Sequence, residues 1–304
     1  MGREANQPSA PRLRVPRTAR YLLRAARQLR HGRAQYPHPP LRSDLSRAAG
    51  EVLRNRILPW LVPVLVLLAW QAGSQFGVIQ ANVLPAPSAV AQAGWHLARS
   101  GELWTNIEVS AARALLGFVI GGGIGFMLGM MNGLSSLSET LTDSTLQMLR
   151  NIPHLALIPL VILWFGIDEG AKVFLVALGV FFPIYVNTQH GVRSVDPHLL
   201  EMGRAYGMSE TALFLRVVLP GALPSIFVGL RYGLGIMWLT LIVAETISAS
   251  SGIGFMAMNA REFMQVDVVV FSILVYAALG KLADSVARLL ERTTLAWNPI
   301  YAKA

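Results

Sequence analysis

Long apolar runs without charge, separated by short polar segments, dominate the chain from residue 57 onward. Residues 57–79 run 23 positions without a charge, residues 114–134 run 21 and residues 173–192 run 20. Residues 217–244 carry one charge, Arg231, while residues 268–280 carry none and continue in helical register past Lys281 and Asp284. A shorter run of 17, residues 151–167, is interrupted by Pro153 and Pro159. About 20 largely apolar residues in a helix cross a hydrocarbon core of ~30 Å. The pattern predicts six membrane spans, the third of them broken, in an all-α polytopic membrane protein.

Within the second run, Gly117, Gly121, Gly125, Gly129 and Gly133 recur at a spacing of four, which places them on one helix face. Small residues let two backbones approach closely in lipid. The stripe predicts either a packing face within the chain or a face beside a helix that slides. Gly229 and Gly233 form a shorter stripe in the fifth run.

Composition agrees with the hydropathy: 53% of the 304 residues are hydrophobic and only 14% charged, against about a quarter charged in soluble domains. Cysteine is absent, which excludes a disulfide scaffold and a cysteine nucleophile. The net charge of +9 is misleading, because residues 1–56 hold thirteen arginines against three acids. The body is close to neutral, so a nucleic-acid-binding protein is not expected. The Arg- and Pro-rich residues 1–56 read as a disordered arm; residues 21–33 are also compatible with a short basic helix on an anionic membrane surface. No apolar stretch follows the first basic residues, so the arm does not read as a signal peptide. Lys and Arg then orient the spans: with the first residue in the cytoplasm, 21 fall inside and four outside. Both termini are expected in the cytoplasm, as is the longest internal loop, residues 193–216.

That loop carries the strongest local signal. Asp196-Pro197 is suited to start a helix, with Asp as cap and Pro in the first turn. Leu199, Met202, Ala205 and Tyr206 then share a face, and Gly207 is placed to end the helix. Pro220 and Pro224 mark the start of the next span. Glu201, Ala205, Gly207, Leu219 and Pro220 together resemble the EAA motif of ABC-importer permeases, with Met202 and Gly203 replacing two alanines of that pattern. Residues 148–160 (MLRNIPHLALIPL), 164–169 (WFGIDE), 182–187 (FPIYVN) and 244–254 (AETISASSGIG) resemble the branch importing sulfonates, taurine and nitrate. Residues 259–263 (NAREF) and 297–301 (WNPIY) look most like its aliphatic sulfonate members.

The resemblance covers residues 57–302 and leaves the arm untouched. It implies the permease of an ATP-driven importer with a type I fold, residing in the bacterial inner membrane. Two copies would enclose the path, and two ATP-binding subunits would dock on residues 201–215. A periplasmic binding protein would deliver an aliphatic sulfonate to residues 82–110 and 248–267. ATP and magnesium would sit on the partner subunit, and this chain would bind no cofactor. Taurine, nitrate or another small anion is the alternative cargo. A secondary transporter is the alternative of another class, and an integral-membrane enzyme lacks the paired acids and bases it would need.

Independently of the resemblance, the chain has no GxxxxGK[ST] loop, and its six histidines show no ligand spacing for a metal. Polar residues inside the spans are functional candidates by default. Arg150 and Asn151 precede the break at Pro153 and can attract and hydrogen-bond an anion; Arg150 can equally snorkel to the interface. Arg231 either faces the path or caps a freed carbonyl. Glu245 is expected to pair with Arg113 or Arg261, and Lys281 with Asp284 three residues on.

Overall fold

The computed structural model describes residues 58–297. The expected arm at 1–56 and residues 298–301 of the terminal motif lie outside them. The chain divides into two compact units, Met1–Leu65 and Val66–Ala304. The first is described only through the opening turns of α1 (Leu58–Gln75), which carries Pro63 in its interior.

Among the described residues every regular element is helical. After α1 come α2 (Pro87–Ser100), α3 (Glu102–Leu134) and α4 (Ser136–Arg150). A 3-10 turn (His154–Leu157) leads into α5 (Ile158–Phe165), and α6 (Glu169–Arg193) follows. The loop helix α7 (Pro197–Ala205) and the single turn α8 (Glu210–Leu213) precede α9 (Leu219–Ser248), α10 (Ile253–Glu262) and α11 (Val266–Thr294). Five helices are long and apolar enough to cross a membrane. A sixth crossing is available only as a broken one, α4 plus residues 154–165, bent by 79°.

The uncharged run 151–167 is therefore not one span, and the structure corrects its bounds. Asn151 caps α4, with its N–H donating to the Met148 carbonyl at 3.2 Å. Pro153 then has no N–H to continue the ladder. Taken as one broken crossing, it begins at Ser136, whose helix is capped by the Ser135 hydroxyl accepting from the Ser138 N–H. Arg150 thus stands fourteen steps along α4, about 21 Å at 1.5 Å per residue.

α3 packs along α6 through the glycine stripe. A Cβ added at Gly125 would lie 2.5 Å from the Phe181 carbonyl, one at Gly129 2.6 Å from the Tyr185 carbonyl, and one at Gly117 2.6 Å from Val176. At Gly121 the Ala177 carbonyl comes closer still, whereas Gly123, on another face, has nothing within 4 Å. The stripe thus lies against a helix of its own chain. Val176, Val180 and Ile184 of α6, Met237, Trp238 and Leu241 of α9 and Tyr276 of α11 form the main buried core.

Near the start of α3, a polar cluster ties these helices together. Glu245 of α9 is 1% exposed. Its carboxylate accepts from Arg113 Nη1 at 2.7 Å, the Tyr276 hydroxyl at 2.7 Å, the Ser110 hydroxyl at 2.8 Å and the Gly254 N–H at 2.9 Å. Arg113 also holds Glu169, which Lys172 approaches at 3.2 Å. Of the two expected partners for Glu245, the structure selects Arg113; Arg261 lies instead against the Met258 sulfur at 3.9 Å. Asn106, Ser110 and Arg113, at spacings of four and three, put one polar stripe on an otherwise apolar helix. That spacing was the available signal for a cluster that pairwise reading reduced to one ion pair.

Candidate functional site

The loop between α6 and α9 is built as a clasp. Asp196 caps α7 by accepting from the His198 N–H at 2.9 Å, and Pro197 fills the first turn. Gly207 ends the helix with φ +76°, a left-handed conformation that glycine adopts without Cβ strain. Its N–H donates to Arg204 at 2.9 Å and the Met208 N–H donates to Gly203 at 3.1 Å, the paired bonds of a Schellman turn. Gly203 is buried, and a Cβ there would meet Leu213 at 2.5 Å, which gives a packing reason for glycine at this position. Arg204 bridges to Glu210 at 3.1 Å, so α7 and α8 are tied; hydrogen bonding to Glu210 holds the Arg204 guanidinium above its usual range.

What this clasp leaves outward is apolar. Leu199 is 45%, Met202 51% and Tyr206 82% exposed. Glu201 is also exposed, 3.9 Å from His198, and Ala205 is exposed at the end of α7. Leu219 and Pro220 open α9 directly after a widened π-turn, Phe214–Val218, closed by the Leu219 N–H donating to Phe214. Pro220 lacks the N–H that would bond the Arg216 carbonyl, which favours such a turn.

Toward the middle of α6 and α9, a cavity of about 370 Å³ opens beside the break in the third crossing. Arg150 lines it, together with His154, Asn187 and Tyr232. Its remaining wall is aliphatic and aromatic, from Ile152, Leu178, Phe182, Val186 and Ile236. Among the described residues Arg150 has no ion pair or hydrogen bond from its side chain. Asn151 is exposed at the cap of α4 and is not part of the wall. Pro183, inside the continuous helix α6, forms part of the wall, and Asn187 donates to its carbonyl at 2.8 Å. His154 meets the Thr240 hydroxyl at 3.1 Å.

Arg231 lies apart from Arg150, in a neighbouring cavity of about 420 Å³ with Val228, Tyr232 and Asp284. Among the described residues it caps no carbonyl; it faces Asp284 at 3.5 Å and Glu291 at 3.6 Å. Asp284 does approach Lys281 at 3.8 Å, but its short contact is to Arg288 at 2.7 Å, so the expected pair is part of a larger group. Arg288, seven residues after Lys281 on the same helix face, was the readable sign of that group.

Helices able to cross a membrane, a cavity beside a cation with no partner among the described residues, and an outward-facing loop helix describe a polytopic membrane subunit. Residues 121–295 match the family of binding-protein-dependent transport system inner membrane components. The chain is 61% identical over 246 residues to a protein of Escherichia coli K12 bearing the name aliphatic sulfonates transport permease protein SsuC, covering 81% of this chain and 94% of that one. It is 32% identical over 271 residues to the taurine transport system permease protein TauC of the same organism, covering 84% and 98%. An amino acid ABC transporter of known structure shares the fold at 17% identity and a TM-score of 0.55, covering 65% of this chain and 96% of that one. The chain belongs to the binding-protein-dependent permease family. It is a multi-pass inner membrane subunit of an ABC importer, a machine that also requires ATP-binding and substrate-binding partners.

Proposed function

We propose that this chain passes aliphatic sulfonates from a periplasmic binding protein to the cytoplasm. The observation that carries this reading is the composition of the cavity at Arg150. A guanidinium without a protein partner attracts an oxyanion, while the aliphatic and aromatic wall suits an alkyl chain. An amphiphilic anion matches both halves; nitrate offers nothing to the apolar half. The 61% identity to the sulfonate-named relative, against 32% to the taurine-named one, favours the same cargo. Taurine remains the second reading, because it too is a sulfonate.

In this reading two copies of the chain enclose the path between them. Two ATP-binding subunits dock on the outward face of α7, around Glu201, Ala205 and Gly207, and Leu219-Pro220 passes their movement to α9. ATP and magnesium belong to those subunits, and this chain binds neither cofactor nor metal and catalyses no reaction. Both termini face the cytoplasm, as the distribution of Lys and Arg favours. Residues 1–56 form a basic arm outside the six-span domain, 57–302. An ion-driven transporter would have no use for the exposed apolar face of α7.

The test is ATP-dependent uptake of labelled ethanesulfonate in cells lacking the gene, with the gene restored as wild type or as Arg150→Gln. Restoration by wild type and at least about tenfold slower uptake with Arg150→Gln are expected, the loss of one charge-assisted contact. Full uptake by the variant would remove Arg150 from the path. Preference for taurine over ethanesulfonate would establish the second reading.

A further inference from the structure

Arg231 and Asp284, which line the second cavity, belong to a charge group suited to a second task. Three cations, Arg231, Lys281 and Arg288, surround two carboxylates, Asp284 and Glu291. One positive charge is left over, enough to balance one organic monoanion. The contacts are also unequal. Arg288 holds Asp284 at 2.7 Å, within the range of a charge-assisted hydrogen bond. Arg231 stands 3.5 Å from Asp284 and 3.6 Å from Glu291, beyond that range, and its side chain is 40% exposed. Arg231 can therefore exchange partners while Asp284 keeps Arg288.

Position links the two cavities. Tyr232 lines both. The Arg150 cavity reaches along α9 to Ile236, whereas the Arg231 cavity reaches back to Val228. Eight residues of helix separate those limits, about 12 Å of rise. The second cavity lies nearer the loop end of α9. We propose that Arg231 is a second anion station, kept weak by Asp284 and Glu291, onto which a sulfonate or similar organic monoanion passes from Arg150 on its way to the loop end. This rests on reading the Arg150 cavity as the anion path. A cation that has two loose carboxylates to return to releases its anion readily; a bare cation would hold it.

Two readouts on the complete importer in proteoliposomes separate this station from the cargo reading beneath it. One is the KM and maximal rate of ethanesulfonate uptake. The other is modification of Arg231 by phenylglyoxal, read by peptide mass spectrometry with and without ethanesulfonate. Ethanesulfonate is expected to protect Arg231. Asp284→Asn should lower the half-protecting concentration about three- to fivefold, the weight of a part-exposed ion pair, and lower KM and maximal rate together. Arg288→Gln frees Asp284 to engage Arg231 and should raise both the half-protecting concentration and KM, so the two variants move in opposite directions. A merely structural role would shift assembly without that opposition. Protection of Arg231 without uptake supports the station and overturns the cargo reading. Uptake with Arg231 unprotected, or with both variants unmoved, overturns the station. Absence of both uptake and protection overturns both.

Discussion

Replacing Gly125 with alanine tests the close packing of α3 on α6. The added Cβ would stand 2.5 Å from the Phe181 carbonyl, where ordinary contact begins at 3.4 Å. The shortfall is 0.9 Å, and a backbone carbonyl inside α6 cannot rotate away as a side chain does. The two helices must part, and the contacts at Gly121 and Gly129 loosen with them. Separations of 0.5–1 Å forfeit about a quarter to a half of each dispersion contact, and overpacking costs about 1–3 kcal/mol. Alanine recovers about 0.5–1 kcal/mol through helix propensity. With both terms at mid-range a net loss of about 1 kcal/mol remains, equivalent to a fall in Tm of roughly 2–4 °C at the scaling found for large domains. Gly123→Ala is the internal control, because nothing lies within 4 Å of its added Cβ. Thermal unfolding of the purified chain in detergent should rank Gly125→Ala clearly below wild type and Gly123→Ala at or above it. Equal Tm values for the two variants would refute the packing argument.

Glu245→Gln should cost about 1–3 kcal/mol, because it removes the charge that four donors share while Arg113 keeps Glu169; size-exclusion chromatography should show less folded protein. Met202→Asp and Tyr206→Ala should reduce co-purification of the ATP-binding subunits while leaving Tm within about 1 °C, since both side chains are exposed. Asp196→Ala removes the cap of α7 and should lower stability by about 1 kcal/mol, measurable as faster hydrogen exchange across residues 198–205. Deleting residues 2–50 should leave ethanesulfonate uptake intact; loss of membrane assembly would give the arm a structural role.

Much of this architecture was legible in the chain because lipid enforces it. A bilayer accepts helical crossings of a fixed length, so hydropathy alone located five of them. The third escaped a correct reading because its first half, α4, is polar, with Ser, Thr, Glu and Asp on its surface, and does not look like a span. The loop clasp was legible because each part depends on local chemistry: Asp196 caps, Pro197 starts and Gly207 stops. Polar partners were harder. Glu245 and Tyr276 meet across 31 residues, and Arg113 meets Glu245 across 132, separations that no helical period encodes. Arg150 was visible as a charge in an apolar stretch, but the wall around it comes from α6 and α9 and emerges only on folding.

The Glu245 carboxylate has a mechanical consequence. It binds groups from α3, α10 and α11 to α9 in a region with little access to water, so those four helices are pinned at one level. Backbone hydrogen bonds are rerouted or missing at the other end, in the π-turn 214–218 that precedes α9 and at Pro220 and Pro224 in its first turns. The molecule is therefore graded in stiffness along its long helices. A displacement applied at the loop end of α9 would meet the proline-interrupted backbone first and the Glu245 anchor last.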